Sequence, residues 1–302
     1  MNSNTAIYDR TVDRVALIRL YERRLSDKVI VVIDDHAVRV DKLISDAKGS
    51  EAGFRRLRDL IDADIKKTYK EVYTISKASL LDFVTDQMSY TYQSIENVMS
   101  KIWRTQQPTR RVAEELVLEK PLIKDQTLAL GWAGVAESER KRIEQIIRKG
   151  VAEGKTINDI ALEIRKGNVF NISKNQSQAL VTTAVTSIQA QADHAVYKAN
   201  EKALYGWQYV AILDSRTTPL CRHRDGQIYS IGQTQYLPPS HFRCRSSTVP
   251  VVKSWADIAI LEGAAAVRRR NISKLSKDDL AFYDGQTPMR ETYDQWLRRQ
   301  PD

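Results

Sequence analysis

Apolar positions over the first hundred residues recur at helical spacing. Leu57, Leu60, Ile61 and Ile65 fall on one side of a 3.6-residue turn. The same spacing runs through residues 7–47 and 53–103, with Gly49 and Gly53 as the only breakers before Pro108. Two long helices are predicted. The run VIVVI at 29–33 is β-branched, a strand composition. Its flanks are helical and no turn residues bracket it, so it is read as helix. Residues 104–136 break the pattern with Pro108, Pro121, Gly131 and Gly134 and read as a connecting segment.

Helical spacing returns at Ser138, with Ile143, Ile146 and Ile147 on one face up to about Gly150. Thr156, followed three residues on by Asp159, predicts a capped short helix. Ser173 with Gln176 marks the start of another helix, running to about 203. After Tyr205 the texture becomes strand-like: GWQYVAIL (206–213), QIYS (227–230) and CRSSTVPV (244–251) are predicted strands. Residues 253–302 return to helix, with a basic triplet at 268–270 that reads as a solvated helix end. The expected class is α+β, mostly helical, with long N-terminal helices and a compact C-terminal module around a small antiparallel sheet. In chain order this gives a helical docking or spacer region at 1–107, a linker at 108–136 and a module at 137–302. The module comprises helices at 138–203, a β portion at 205–252 and a helical tail at 253–302.

Composition narrows the classes. With 42% hydrophobic and 28% charged residues, and no apolar run near the roughly 18 residues of a membrane span, no membrane span is expected. The N-terminal residues lack the apolar stretch of a secretory signal, and two cysteines in 302 residues suit a reducing compartment. A formal charge of +9 favours acidic partners, nucleic acid foremost. Candidate contacts are Arg104, Arg110 and Arg111, in an acid-free basic run at 101–111, and Arg222, Arg224 and Arg243 in the C-terminal module. Trp207, Tyr209 and Tyr229 would supply an aromatic face beside the latter. Two further patterns carry less. The short helices of 138–203, joined by a Gly turn, have the outline of a helix-turn-helix without an identifiable recognition helix. Residues 150–156, GVAEGKT, look like a phosphate-binding loop, but only three residues separate the glycines and a helix precedes them. They are read as a helix-to-helix turn.

Chemistry concentrates in VAILDSRTTPLCRHRDGQIYS (210–230) and in PPSHFRCRS (238–246). Asp214 ends an apolar strand and suits an Asx turn; Asp225-Gly226 supplies a chain reversal. One knuckle would gather Cys221, His223, His241 and Cys244. Four chemistries follow from that set. Zinc takes thiolate and imidazole ligands, although the C-x-H spacing of Cys221 and His223 is awkward. A Cys221–Cys244 disulfide would contribute about 3 kcal/mol in the chain-entropy view. A Cys/His nucleophile pair would need an orienting partner and an oxyanion hole. Packing and hydrogen bonding alone is the fourth, with Arg216 or Arg245 paired to Asp214 or Asp225.

The order of these residues resembles the phage head morphogenesis family, the MuF-type minor capsid proteins, whose members show D-x-R-T, C-P-x-C, D-G and then P-P-x-H-x-x-C-R-C. The resemblance rests on Asp214, Arg216, Thr217, Pro219, Cys221, Asp225, Gly226, His241, Cys244 and Arg245. It extends to G-x-x-x-G-K-T-I-x-D-I-A-x-x-I-R at 150–165 and a W-L-x-x-Q-P ending, covering roughly 130–300. Thr218 stands where many members have the first cysteine, Ser246 replaces the last, and the A-R-T-E signature appears as Val181-Thr182-Thr183-Ala184. The resemblance implies a non-enzymatic virion protein of the capsid interior or portal vertex, assembled in the host cytoplasm and acting in head assembly, DNA packaging or delivery. Implied partners are the portal, the scaffold or major capsid protein, and packaged DNA. With half the thiols gone, no cofactor is expected, and zinc only as a lesser possibility. Two rival readings remain: a metal- or cysteine-dependent nuclease or hydrolase using Cys221, His241 and Cys244, and a DNA-binding regulator using 138–203.

Overall fold

Two long helices lead the chain, as the spacing predicts. In the computed structural model, which describes residues 3–47, 50–99 and 103–253, α1 spans Ser3–Ser45 and α2 Glu51–Met99. Within VIVVI, Val29, Val32 and Ile33 are buried while Val31 is exposed, the spacing of one helix face rather than strand alternation. Gly53 does not break α2: its N–H donates to Ser50 Oγ at 3.1 Å in the first turn. The expected tail beyond 253, with the 268–270 triplet and the W-L-x-x-Q-P ending, lies outside the described residues.

The segment expected to be a linker holds regular structure. Pro108 and Pro121 bracket α3 (Arg110–Leu118), which buries Ala113, Leu116 and Val117. Thr127, whose hydroxyl accepts from Leu130 N, starts α4 (Leu128–Ala152) well before Ser138. Gly131 in that segment serves close packing, as does Gly150 near the end of α4. A Cβ on Gly131 would lie 2.7 Å from Leu180 Cδ1, and one on Gly150 2.4 Å from Ile160 Cγ1. Each costs roughly 1 kcal/mol of helix propensity, offset by the contact it permits. Helix α5 (Ile157–Lys166) carries the expected Thr156/Asp159 capping box. Between α4 and α5, Lys155 N–H donates to Gly150 O at 2.9 Å and the Lys155 ammonium pairs with Glu153 and Glu163, so this is the helix-to-helix turn as read. Helix α6 (Val169–Ala199) begins before Ser173, whose hydroxyl bonds back to Val169 O inside the helix.

The three expected strands form one antiparallel sheet in the order β2-β1-β3, with β1 at Leu204–Val210, β2 at Ile228–Tyr229 and β3 at Ser247–Val252. Trp207 stands opposite Tyr229 on one side and Pro250 on the other; β3 is an edge strand, which tolerates proline. Gly206 has no room for a side chain, since a Cβ would meet Tyr229 O at 2.1 Å. A short helix that the sequence reading did not expect, α7 (Pro219–Arg224), sits between β1 and β2, with Thr218 as its N-cap accepting from Cys221 N.

The described chain forms two compact units. The first takes the residues up to Leu20, 80–123 and those from Thr183 on; the second takes 21–79 and 124–182. In the first, Trp207, Tyr209, Val249 and Val251 are buried. Asn4 clamps the end of β3: Val252 N–H donates to its Oδ1 at 2.9 Å and its Nδ2 donates to Val252 O at 3.4 Å. Asn200, fully buried, accepts from Trp103 Nε1 and Gln106 N and donates to Gln106 O and Val196 O. The amide therefore pins the chain just before α3.

The second unit buries apolar residues such as Ile61, Ile65, Trp132 and Ile143, and with them a polar cluster. His36 Nδ1 lies 2.5 Å from Asp64 Oδ2 and Nε2 lies 2.6 Å from Glu139 Oε1. Tyr69 OH donates to Glu139 Oε2 at 2.9 Å and Arg39 Nε to Asp64 Oδ1 at 2.8 Å. Carboxylates offer only acceptors, so both ring nitrogens donate and His36 is an imidazolium. Burial by itself lowers the imidazole pKa, but Glu139 and Asp64 together outweigh it and raise the value above 6.5.

Candidate functional site

The loops around β1 and α7 are tied by carboxylates in the positions the sequence suggests. Asp214 Oδ1 accepts from Arg216 N at 2.9 Å, closing the Asx turn. Thr217 Oγ1 accepts from Asp214 N and donates to Ile212 O. Arg245 grips Asp214 with two bonds of 2.7 and 2.6 Å, a bidentate pair that joins the turn after β1 to the segment before β3. That hydrogen bond, aided by the Arg216 backbone N–H and Thr217, holds the Asp214 carboxyl far below its ordinary value. Arg216 is the looser partner, 3.6 Å away and largely exposed. Asp225 Oδ1 accepts from Ala211 N at 2.9 Å, and Gly226 takes φ +76°, the left-handed position a reversal needs. Its N–H donates to Tyr209 O, and Tyr209 N–H to Gln227 O.

Behind this frame the two cysteines and one histidine meet. Helix α7 turns Cys221 inward, and the 241–244 turn, closed by Cys244 N–H to His241 O, delivers His241 and Cys244. Cys221 Sγ lies 3.2 Å from His241 Nε2 and 3.8 Å from Cys244 Sγ. The three donor atoms all lie within 4.8 Å of one another. His241 Nδ1 is 2.7 Å from Phe242 O; a carbonyl can only accept, so Nδ1 carries a proton and the cluster faces Nε2. Thr218 Oγ1 lies 3.0 Å from that same Nε2. Tyr209 OH lies 3.3 Å from Cys221 Sγ and 3.0 Å from Ser240 Oγ. Helix α6 holds the turn from behind: Thr183 Oγ1 accepts from Arg243 N at 3.0 Å, and Thr186 Oγ1 donates to Cys244 O at 2.7 Å.

Charge is unevenly shared within the cluster. The hydrogen bond from Cys244, with help from Tyr209, Thr218 and Ser246, pulls Cys221 below the ordinary thiol value, whereas the Cys221 sulfur and burial push Cys244 above it. The adjoining recess, lined by Thr218, Cys221, His241, Arg243 and Ser246 among others, measures about 10 Å³, the space of a single water.

Several expectations need correction. His223 is exposed and its carbonyl accepts from Gln227 Nε2; it is not among the three converging donors, because two residues along α7 points it away from Cys221. Both cysteines are free thiols, so no disulfide joins them. Trp207, Tyr209 and Tyr229 are buried, with Trp207 against Tyr229 at 4.8 Å and Tyr229 stacked on Tyr236 at 4.6 Å. They build the core, not a platform for bases. Of the candidate nucleic-acid contacts, Arg224 is used internally, over the Tyr236 ring and bonded to Ser240 Oγ. Arg222 reaches Asp214 O, and Arg110 pairs with Glu114; both are exposed, as are Arg104, Arg111 and Arg243.

The places of Thr183, Thr186, Tyr209 and Ser240 around the cluster depend on the fold. Only Thr183 was signalled, as the retained threonine of the altered A-R-T-E stretch. Thr218 and Ser246, noted as replacements for thiols, both border the cluster. No curated protein and no solved structure matches the chain. Residues 141–249, from within α4 through the cysteine–histidine cluster into β3, match the family model described as Phage Mu protein F like protein, consistent with a phage head morphogenesis family.

Proposed function

We propose that the protein is a minor head protein of a bacteriophage, associated with the portal and acting in head assembly and in DNA packaging or delivery. The carrying observation is the match over 141–249, which contains every residue of the Asp214–Arg245 frame and the cluster behind it. In this reading the frame and cluster are a structural clasp that keeps the C-terminal module in one shape. The exposed arginines Arg104, Arg111, Arg222 and Arg243 meet the packaged DNA through its phosphates, a contact that weakens with salt. Leu17 and Leu20 of α1, one turn apart and exposed, offer an apolar contact to a portal, scaffold or capsid subunit. Among the described residues no helix is long and apolar enough to cross a membrane.

The test is biochemical and genetic. Purified heads should contain the protein, tagged protein should retain the portal, and deletion should give heads defective in DNA content or delivery, restored by the wild-type gene. Absence from heads together with no binding to portal would sink the proposal. So would a nuclease or hydrolase turnover that Cys221→Ser abolishes while head assembly continues.

A further inference from the structure

We propose that Cys221, His241 and Cys244 form a binding site for one thiophilic divalent cation, of which Zn²⁺ is the type. This goes beyond the head role and does not depend on it. Two thiolates and an imidazole are the donors zinc takes, and a tetrahedral ion with Zn–S near 2.3 Å sets sulfurs about 3.8 Å apart. The Cys221–Cys244 separation is 3.8 Å. A sulfur–nitrogen edge of such a tetrahedron is about 3.6 Å, so the Cys221–His241 edge, now 3.2 Å, opens by a side-chain adjustment of a few tenths of an ångström.

The histidine supplies the second argument. Ligating histidines donate their other ring N–H to a carbonyl or carboxylate, which fixes tautomer and orientation. His241 does so through Nδ1 to Phe242 O at 2.7 Å, leaving the Nε2 lone pair aimed at Cys221. Two lone-pair atoms at 3.2 Å require a positive centre between them, either a proton or a metal ion. The Thr183 and Thr186 bonds to Arg243 N and Cys244 O hold the ligating turn in place whichever it is. A recess of about 10 Å³ lined by Thr218, Cys221, His241 and Ser246 adjoins the Cys221–His241 edge. A neutral Cys₂His–cation unit leaves no unbalanced charge there. The fourth position falls to the Thr218 hydroxyl or to a water, both weaker donors than a thiolate, so the site is a reversible one.

The experiment measures metal in the full-length protein after saturation with Zn²⁺ and removal of excess, and follows Co²⁺ substitution by absorbance. About one equivalent per chain is expected, with thiolate-to-cobalt charge transfer and intense tetrahedral d–d bands. Cys221→Ser and Cys244→Ser should abolish the bands, and His241→Ala should weaken binding by about tenfold or more. His223→Ala should leave binding unchanged, and Thr218→Cys should tighten it. Should a variant fail to fold, wild-type protein still decides: Zn²⁺ must slow alkylation of both thiols, and chelator must restore it. Sub-stoichiometric metal after saturation, metal retained by both serine variants, thiols alkylated equally with and without Zn²⁺, or a Cys221–Cys244 disulfide in protein isolated from cytosol would each overturn the proposal.

Discussion

The clasp in the first unit and the His36 cluster in the second both gather ionisable groups away from water, by different means. The clasp uses soft donors and hydroxyls contributed mostly by residues 209–246, with its one strong ion pair, Asp214–Arg245, at the partly exposed edge. The second cluster places a fully buried imidazolium between two carboxylates, from residues as far apart as His36 and Glu139. A charge freed by removing a member of the first lies at that partly exposed edge, within reach of water; removing a member of the second strands a buried one. A buried charge is tolerable only with its partner in place, so the two sites should differ in how abruptly they fail.

The largest effect is therefore expected from Glu139→Ala, which leaves His36 facing one carboxylate and Tyr69 OH without its acceptor. Loss of about 3–5 kcal/mol is expected in denaturant unfolding. A loss under 1 kcal/mol would erase the contrast. Arg245→Met should cost less, about 1.5–3 kcal/mol, with faster hydrogen exchange at Arg216 and Thr217 amides as Asp214 loses its anchor.

Titration should separate the two regions by sign. His36 has a raised folded pKa, so its contribution is complete below the unfolded value of 6.5 and is lost as pH rises through the raised value. Asp214 has a depressed one, so its contribution is present above 3.8 and is lost as pH falls. Burial pushes Asp193, in the first unit, up to about 7, so that unit also loses stability between about 4 and 7 as pH rises; Asp193→Asn removes this overlap. In that background, α4 amides should lose protection on the alkaline side and the 212–217 amides on the acid side. Loss at both places on the same side would refute the assignment. Smallest of all, His223→Ala should shift the unfolding midpoint by no more than about 0.5 kcal/mol in either direction.

What could be read in advance follows the same division. The long helices, the capping box, the three strands and the Asp214 and Asp225 turns rest on neighbours in sequence, and spacing reveals those. Cys221 and His241 were grouped from proximity along the chain, which also drew in His223, because composition does not say which way a helical side chain faces. Gly131 misleads for a related reason: a glycine chosen for contact with Leu180 looks the same as one chosen to end a helix. The His36 cluster was invisible, since nothing local distinguishes His36, Asp64 and Glu139 from solvated residues of amphipathic helices. The division into two units, each drawing on separated stretches of chain, has no signature in periodicity either.

The clamp between Asn4 and Val252 joins residues 248 positions apart, and this orders events during synthesis. All the chain that the second unit needs exists once residue 182 has left the ribosome, so His36, Asp64 and Glu139 can meet early. The first unit must wait until β3 has emerged. Until then the opening turns of α1 and the β1 edge lack their final partner, which leaves this nascent half the slower to close.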